Sequence, residues 1–315
     1  MAQLPYLVTL AAFIVFVVAT TLRIAFWIRL PKHVRWELYP VPHETKEKVR
    51  YGGSFMEEAD WWTRPRKTSV IGELKETARE ILLLSTVREH NRKLWYRTFP
   101  FHCGLYLTTT AVGFALLSGV LRMLLPHSIE QNVIVLARRL VLVFGVTGMI
   151  LGAFGAVGLL IRRLTLPELR RYTVPGDIFN LVFIILAFMS GLLTWALVDT
   201  DATCVMAFSA NLIAFDWSAL PGTGVERALP VVTVFLFSAL IIYVPLTHLS
   251  HPVGKFFAYH SIRWNDTPNL SGGPEETDIK QLLSQSVSWA AKHIGADGKK
   301  TWADLATANP TGEKR

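Results

Sequence analysis

Apolar residues along this chain of 315 residues are concentrated in five long blocks. A helix needs about 20 residues to cross a hydrocarbon core about 30 Å thick, and each block reaches that length. The blocks are Leu7–Ile28, Phe99–Leu125, Leu140–Ile161, Ile178–Val198 and Leu229–Leu249. This pattern predicts an all-α integral membrane protein, a bundle of five transmembrane helices.

The segments between the blocks contain shorter helical patterns. In the first long connection, apolar residues recur at helical spacing between charged ones: Ile71, Leu74, Ala78, Ile81, Leu82 and Leu84. Such a helix lies on a membrane surface or packs on a partner protein, and spacing alone leaves both open. The apolar stretch "VMAFSANLIAF" is too short to span and predicts an outer-face or re-entrant piece. Another helical stretch is predicted around Ile279–Ile294.

Basic residues are distributed unevenly between the two sides of the predicted bundle. Fifteen Lys and Arg lie between Arg29 and Arg97, four in the loop Arg162–Arg171 and eight after Leu249. The connections on the other side contain only four: Arg122, Arg138, Arg139 and Arg227. Because basic residues stay in the cytoplasm, we expect a protein of the cytoplasmic (inner) membrane. Its N-terminus should lie on the outer side and its C-terminus in the cytoplasm. The net charge of +8 is therefore explained by topology and lipid, not by nucleic acid.

This topology predicts four regions along the chain. Residues 1–28 form the first transmembrane helix, and residues 29–97 form a large cytoplasmic first loop with the amphipathic helix. Residues 98–260 form a four-helix membrane core, and residues 261–315 form a cytoplasmic tail. The chain has no nucleotide-binding or CxxC motif, so we expect any iron–sulfur cluster to belong to another subunit.

Three of the nine histidines lie at the ends of apolar spans, where polar side chains are costly and tend to be functional. His102 lies a few residues into the second span. Leu229 and His251 are separated by about 33 Å if the fifth span is one continuous helix, which places His251 at the cytoplasmic leaflet. His248 lies three residues earlier, so on spacing either histidine could serve as a ligand.

Two histidines at matching depth on different helices suit one b-type haem, whose iron takes an imidazole from each side. Arg97 and Lys255 are candidate partners of the haem propionates, or plain interfacial anchors. The third span carries glycines at spacings of three and four: Gly145, Gly148, Gly152 and Gly155. Such a face admits either a flat macrocycle or the backbone of another helix.

Three motifs resemble the gamma subunit family of respiratory nitrate reductase: "FPFHCGLYL", "LIRRLTLPELRRYTVPGDIFNLVFIILAFMSGLLT" and "VPLTHLSHPVGKFF". The resemblance covers about Phe99–Trp264. It implies a five-span cytochrome b that passes electrons between quinone and a cytoplasmic iron–sulfur subunit. It also implies that His102 and His251 bind the same cytoplasmic-side haem. His248 then occupies a position where the family usually has a basic residue. Its side chain is expected to lie beside a haem ligand or to face a propionate.

Two positions depart from the nitrate-reducing members of that family. These members carry a second haem, whose ligands correspond here to Val112 and Thr233, and neither side chain can replace an imidazole. The resemblance therefore implies one haem b. The long first loop and the tail look more like gamma-type subunits that accompany heterodisulfide-reductase-like iron–sulfur proteins.

The resulting hypothesis is a one-haem membrane subunit of a quinone-linked respiratory oxidoreductase, which exchanges electrons between menaquinone and a cytoplasmic iron–sulfur partner. The alternative is a non-redox membrane anchor for a soluble oxidoreductase, in which the histidines are packing residues. A transporter is disfavoured because the span centres lack paired charges. The quinone could meet Arg138 and Arg139 on the outer side, or bind in the inner leaflet, where no residue stands out.

Overall fold

The computed structural model of the chain describes residues 3–31, 41–42, 44–65, 69–125, 127–217 and 223–308. Residues 32–40 of the predicted first loop and 309–315 of the predicted tail lie outside this part. The helices are α1 (Leu4–Ile28), α2 (Lys46–Tyr51), α3 (Val70–Leu83), α4 (Ser85–His90), α5 (Arg92–Leu124), α6 (His127–Thr165), α7 (Pro167–Arg170), α8 (Pro175–Leu197), α9 (Thr203–Ala214), α10 (Val225–Leu246), α11 (His251–Ala258), α12 (Pro274–Leu283) and α13 (Trp302–Thr307). The strands are β1 (Ala290–Ala291) and β2 (Ala296–Asp297), which pair antiparallel.

Five helices in this part of the chain are long and apolar enough to cross a membrane: α1, α5, α6, α8 and α10. The prediction of a five-helix, all-α membrane protein is confirmed. Helices α5 and α6 have 33 and 39 residues, so they extend well beyond the apolar blocks. The orientation of the termini stays a prediction from the distribution of basic residues.

The chain divides into two compact units. The first unit comprises Met1–Thr21 and Ala78–Ser250, and it contains most of the membrane helices. The second unit comprises Leu22–Thr77 and His251–Arg315.

The core of the first unit lies where α5, α6, α8 and α10 meet. Its buried apolar residues are Phe101, Ala153, Ala156, Ile184, Ala187, Phe188 and Leu240. Three of the seven are alanines, because side chains this small let membrane helices approach closely without a solvent-driven hydrophobic force between them. The core therefore holds the helix that carries His102 against three neighbours.

Helix α9 is the short apolar piece predicted from "VMAFSANLIAF". Its first turn is capped by the buried carboxylate of Asp199, which accepts hydrogen bonds from the backbone of Cys204 (2.8 Å) and Val205 (3.0 Å). It packs on α5 at Gly119, where an added Cβ would lie 3.1 Å from Ala210 Cα. Thus α9 is a helix of the first unit that packs on α5 without spanning.

The amphipathic helix predicted in the first loop is present as α3. Its exposed apolar side chains include Ile71 (81%) and Leu74 (65%). At its other end, the carbonyl oxygens of Ile81 and Leu83 accept hydrogen bonds from Tyr106 Oη (2.9 Å) and Trp95 Nε1 (2.8 Å). These two bonds attach the end of α3 to the first half of α5.

The second unit is held partly by aromatic contacts and by a contact between a histidine and a carboxylate. Trp27 and Phe257 lie with ring centroids 6.2 Å apart, and His260 Nε2 lies 3.7 Å from Glu73 Oε2. In the tail, the prediction of a helix around Ile279–Ile294 is wrong beyond Leu283, where α12 ends. Farther along, the chain forms the short strands β1 and β2, with a 3₁₀ turn at Lys292–Ile294 between them.

Candidate functional site

His102 lies in α5 with one ring nitrogen held by the helix itself. Its Nδ1 is 2.8 Å from the carbonyl oxygen of Thr98. Because a carbonyl only accepts, Nδ1 must carry the proton, and Nε2 then carries the lone pair that a metal ligand needs. The ring also packs edge-on against Phe101, with centroids 5.2 Å apart. Tautomer and setting both suit an axial haem ligand.

The fifth membrane helix ends earlier than the apolar pattern predicts. Helix α10 ends at Leu246, Thr247 is extended (φ −123°, ψ −177°), and a 3₁₀ turn spans His248–Ser250 before α11 begins at His251. The expectation of one continuous helix to His251 is therefore wrong. Pro245 lies in the last turn of α10, where a proline removes a backbone donor and crowds the preceding carbonyl.

This break changes the relation between the two neighbouring histidines. They do not share one helix, so helical spacing does not determine their directions relative to each other. His102 and His248 belong to the first unit, and His251 is the first residue of the second segment of the second unit. His251 is exposed and opens α11 directly before Pro252, which stands at a favourable position for a helix start.

His248 is part of a hydrogen-bonded chain that sequence reasoning missed. Tyr243 Oη donates to Asn180 Oδ1 (2.6 Å), and Asn180 Nδ2 lies 3.1 Å from His248 Nε2. Because the tyrosine hydroxyl orients the amide, Nδ2 is the donor and His248 Nε2 the acceptor. An Nε2 atom engaged in this way is a poor candidate for binding iron. We call this end of the α8–α10 pair the histidine end.

The sequence contains only a weak sign of this chain of hydrogen bonds. Asn180 is the amide within an otherwise apolar stretch of α8 and is only 4% exposed, which is costly without hydrogen-bond partners. Its partners lie 63 and 68 residues later. A buried amide in a membrane span is the sign that could have been noticed, but spacing does not reveal what it bonds to.

The opposite end of the same helix pair is closed by two threonines. Thr194 Oγ1 donates to the carbonyl of Ser190 (2.9 Å), so Thr233 Oγ1 is the donor in its 2.7 Å bond with Thr194 Oγ1. We call this the threonine end. Val112 is the other residue expected at a position where a second haem would need a ligand, and it is 46% exposed.

The predicted propionate partners are placed as follows. Arg97 is half-buried, and its Nη1 donates to the carbonyl of Lys93 at 2.7 Å, within its own helix. Lys255 belongs to the second unit, where its Nζ lies 5.5 Å from the ring centroid of Tyr259. Both placements fit interfacial cations, and a propionate contact stays a prediction.

Arg138, one of the two arginines considered for quinone, pairs with a carboxylate. Its Nη1 lies 3.3 Å from Asp201 Oδ2. The hydrogen bonds from Thr203 hold the pKa of Asp201 below its usual value, so this carboxyl is ionised at neutral pH. A guanidinium paired in this way has less to offer a neutral quinone.

The glycines of α6 serve helix packing. A Cβ on Gly148 would lie 2.7 Å from the backbone nitrogen of Thr108, and one on Gly155 would lie 2.6 Å from Phe101 Cα. A Cβ on Gly152 would overlap the ring of Phe188. Of the two alternatives, macrocycle or helix, the structure supports the helix: this face is occupied by α5 and by an aromatic ring.

Clustered metal ligands of the usual kind are not found. Within the part of the chain that the structure describes, no group of three or more His, Cys, Asp or Glu side chains could hold a metal ion. A haem held axially by two histidines does not need such a group, because the porphyrin supplies the other ligands.

Together, the five spanning helices and an inward-packed histidine helix define a multi-pass membrane protein. A comparison with protein-family models matches residues 84–264 to the nitrate reductase gamma subunit. Since the match covers more than half of the chain, the protein belongs to the nitrate reductase gamma subunit family. The family comprises haem-binding cytochrome b subunits of a quinone-linked, multi-subunit oxidoreductase. Searches of curated proteins and of solved structures found no match.

Proposed function

We propose that the chain is a one-haem cytochrome b of the inner membrane that exchanges electrons between menaquinone and a cytoplasmic iron–sulfur subunit. The observation that carries this proposal is the hydrogen bond from His102 Nδ1 to Thr98 within the family-matched segment. It holds the imidazole in the tautomer that an axial ligand requires. The bound haem would supply one-electron redox chemistry at that place.

We assign the second axial ligand to His251 rather than to His248. The family resemblance favours His251. The hydrogen bond between Asn180 and His248 Nε2 is a physical reason to exclude His248 as the ligand. His248, Arg97 and Lys255 then act as polar or cationic groups near the haem edge. The threonine end offers hydroxyls that are already bonded to each other, which supports a single haem.

The test is the haem b content per polypeptide of the purified chain, measured by pyridine haemochrome. The expected ratio is near one for the native sequence and for His248→Ala, and near zero for His102→Ala and His251→Ala. His248→Ala is the matched control, since it removes an imidazole three residues from the proposed ligand. A native ratio near two, or haem retained in His102→Ala, would show the ligand assignment to be wrong.

The same preparation separates electron transfer from simple anchoring. A soluble menaquinol analogue, menadiol, should reduce the haem of the native chain without any partner subunit. If the chain binds no haem after expression with adequate haem supply, the anchor function is the better account. Reduction by dithionite but not by menadiol would leave a cytochrome without a quinone site.

A further inference from the structure

Helix α3 carries its apolar side chains on the side that faces away from the protein. Residues three and four apart lie on the same side of a helix, and this spacing joins the apolar residues Val70, Ile71, Leu74, Ala78 and Leu82. All five are exposed, and Ile71 is the most exposed at 81%. We call these five residues the apolar side of α3. A helix on the surface of a soluble protein normally buries such a side against the core.

The acidic side of the same helix is directed at the protein instead. Glu73 Oε2 lies 3.7 Å from His260 Nε2. Glu80 is only 6% exposed, and its carboxylate accepts hydrogen bonds from Ser85 Oγ (2.7 Å) and the backbone nitrogen of Thr86 (2.9 Å). The usual arrangement of an amphipathic surface helix is therefore inverted. A contiguous apolar side in this position indicates contact with a membrane or with another molecule.

Hydrogen bonds to α5 indicate which of these covers it. Tyr106 Oη donates to the carbonyl of Ile81 (2.9 Å). Tyr106 lies seven residues into the apolar block that begins at Phe99, which is about 10 Å of helix rise. Trp95 Nε1 donates to the carbonyl of Leu83 (2.8 Å), and tryptophan and tyrosine are the side chains enriched where membrane meets water. The last turn of α3 therefore lies at the level of the bilayer interface, where its neighbours are lipids.

We infer that α3 is an interfacial helix whose apolar side inserts among the lipids of the leaflet around the first half of α5. The partner is the acyl-chain boundary of a phospholipid leaflet, since this side offers only apolar groups and its helix ends beside a membrane span. On the predicted orientation, this is the cytoplasmic leaflet. The assignment is independent of the proposed function, because neither haem nor quinone takes part in it.

The test is photo-crosslinking of the full native chain in nanodiscs of phosphatidylcholine, a fraction of which carries a diazirine in its acyl chain. After illumination, peptide mass spectrometry should locate lipid adducts on the apolar side of α3. Adducts are also expected on α1, whose exposed side chains include Phe13 (57%) and Val18 (51%). The yield on α1 is the internal reference, because it reports how much of the chain is inserted in the bilayer.

A pair of matched variants tests the apolar side itself. Leu74→Gln places a polar group on that side, and Lys75→Gln places the same group on the next residue, which is exposed but lies outside it. Relative to α1, the yield of adducts on α3 should fall about tenfold in Leu74→Gln, because the insertion of one leucine shifts an equilibrium by at least that factor. In Lys75→Gln the yield should equal that of the native chain.

Two results would overturn the inference. Adducts on α1 but none on α3 in the native chain would mean that this side meets water, and that a protein partner is its occupant. Equal yields in Leu74→Gln and Lys75→Gln would mean that the apolar side does not hold the helix in the leaflet. The native chain alone decides the first result, so a variant that folds poorly does not obscure it. Adducts on α3 in a chain without haem would refute the cytochrome and retain the interfacial helix.

Discussion

The two ends of the α8–α10 pair join the same helices by different means. At the threonine end, Thr233 donates to Thr194, and Thr194 donates to its own helix, so the hydrogen bonds close on themselves. At the histidine end, a buried amide connects Tyr243 to an exposed imidazole. The threonine end therefore has one hydrogen bond between two hydroxyls, whereas one buried side chain holds two hydrogen bonds at the histidine end. The two ends should differ in how much stability a single substitution removes.

The largest expected effect comes from removing the amide at the centre of the hydrogen-bonded chain at the histidine end. Asn180→Leu removes the amide that bonds both the Tyr243 hydroxyl and His248 Nε2, and a buried polar group left unsatisfied costs about 1–3 kcal/mol. The free energy of unfolding in mixed detergent micelles should fall by that order. Equal losses in Asn180→Leu and Thr194→Val would contradict the difference between the two ends.

A smaller effect is expected from removing one end of the same hydrogen-bonded chain while its central amide is kept. Tyr243→Phe removes one hydroxyl and keeps the ring contacts with Phe179 and Phe183. The loss of unfolding free energy should be about 1 kcal/mol, the usual net value of one hydrogen bond. Measured in the same micelles, a loss as large as that of Asn180→Leu would show that the hydroxyl, not the amide, organises this end.

The smallest effect is expected at the closed end. Thr194→Val and Thr233→Val should each lower the unfolding free energy by about 0.6 kcal/mol, the average for a hydrogen bond between membrane helices. A double-mutant cycle isolates the pair, since the two residues contact each other directly. A coupling of several kcal/mol would mean that the threonine end also carries more than adhesion.

Much of the fold could be predicted because membrane helices are encoded by long apolar blocks. All five spans and the amphipathic helix α3 follow from local patterns, which need no knowledge of distant residues. The end of α10 was misjudged because Leu249 continues the apolar pattern past the break at Thr247. Pro245 and Pro252, on either side of that break, are the residues that should have outweighed hydropathy.

The candidate site could be predicted only in part. His102 stands out in an apolar span, but its tautomer depends on a backbone carbonyl that only a built helix places. The chain through Asn180 joins residues from two helices, and their pairing depends on how α8 and α10 rotate against each other. Likewise, the spacing of the glycines of α6 predicts a close approach but does not show whether a helix or a cofactor packs there.

The glycine contact between α5 and α6 has a consequence for biosynthesis. Helix α5 ends at Leu124 and α6 begins at His127, and an added Cβ on Gly148 would lie 2.7 Å from the backbone nitrogen of Thr108. This hairpin needs no residue beyond Thr165, so it can close while the ribosome is still translating the rest of the chain. The helix of His102 is then in place before His251 exists. On the proposed ligation, a haem held by both histidines would be added only after the last membrane helix has been made.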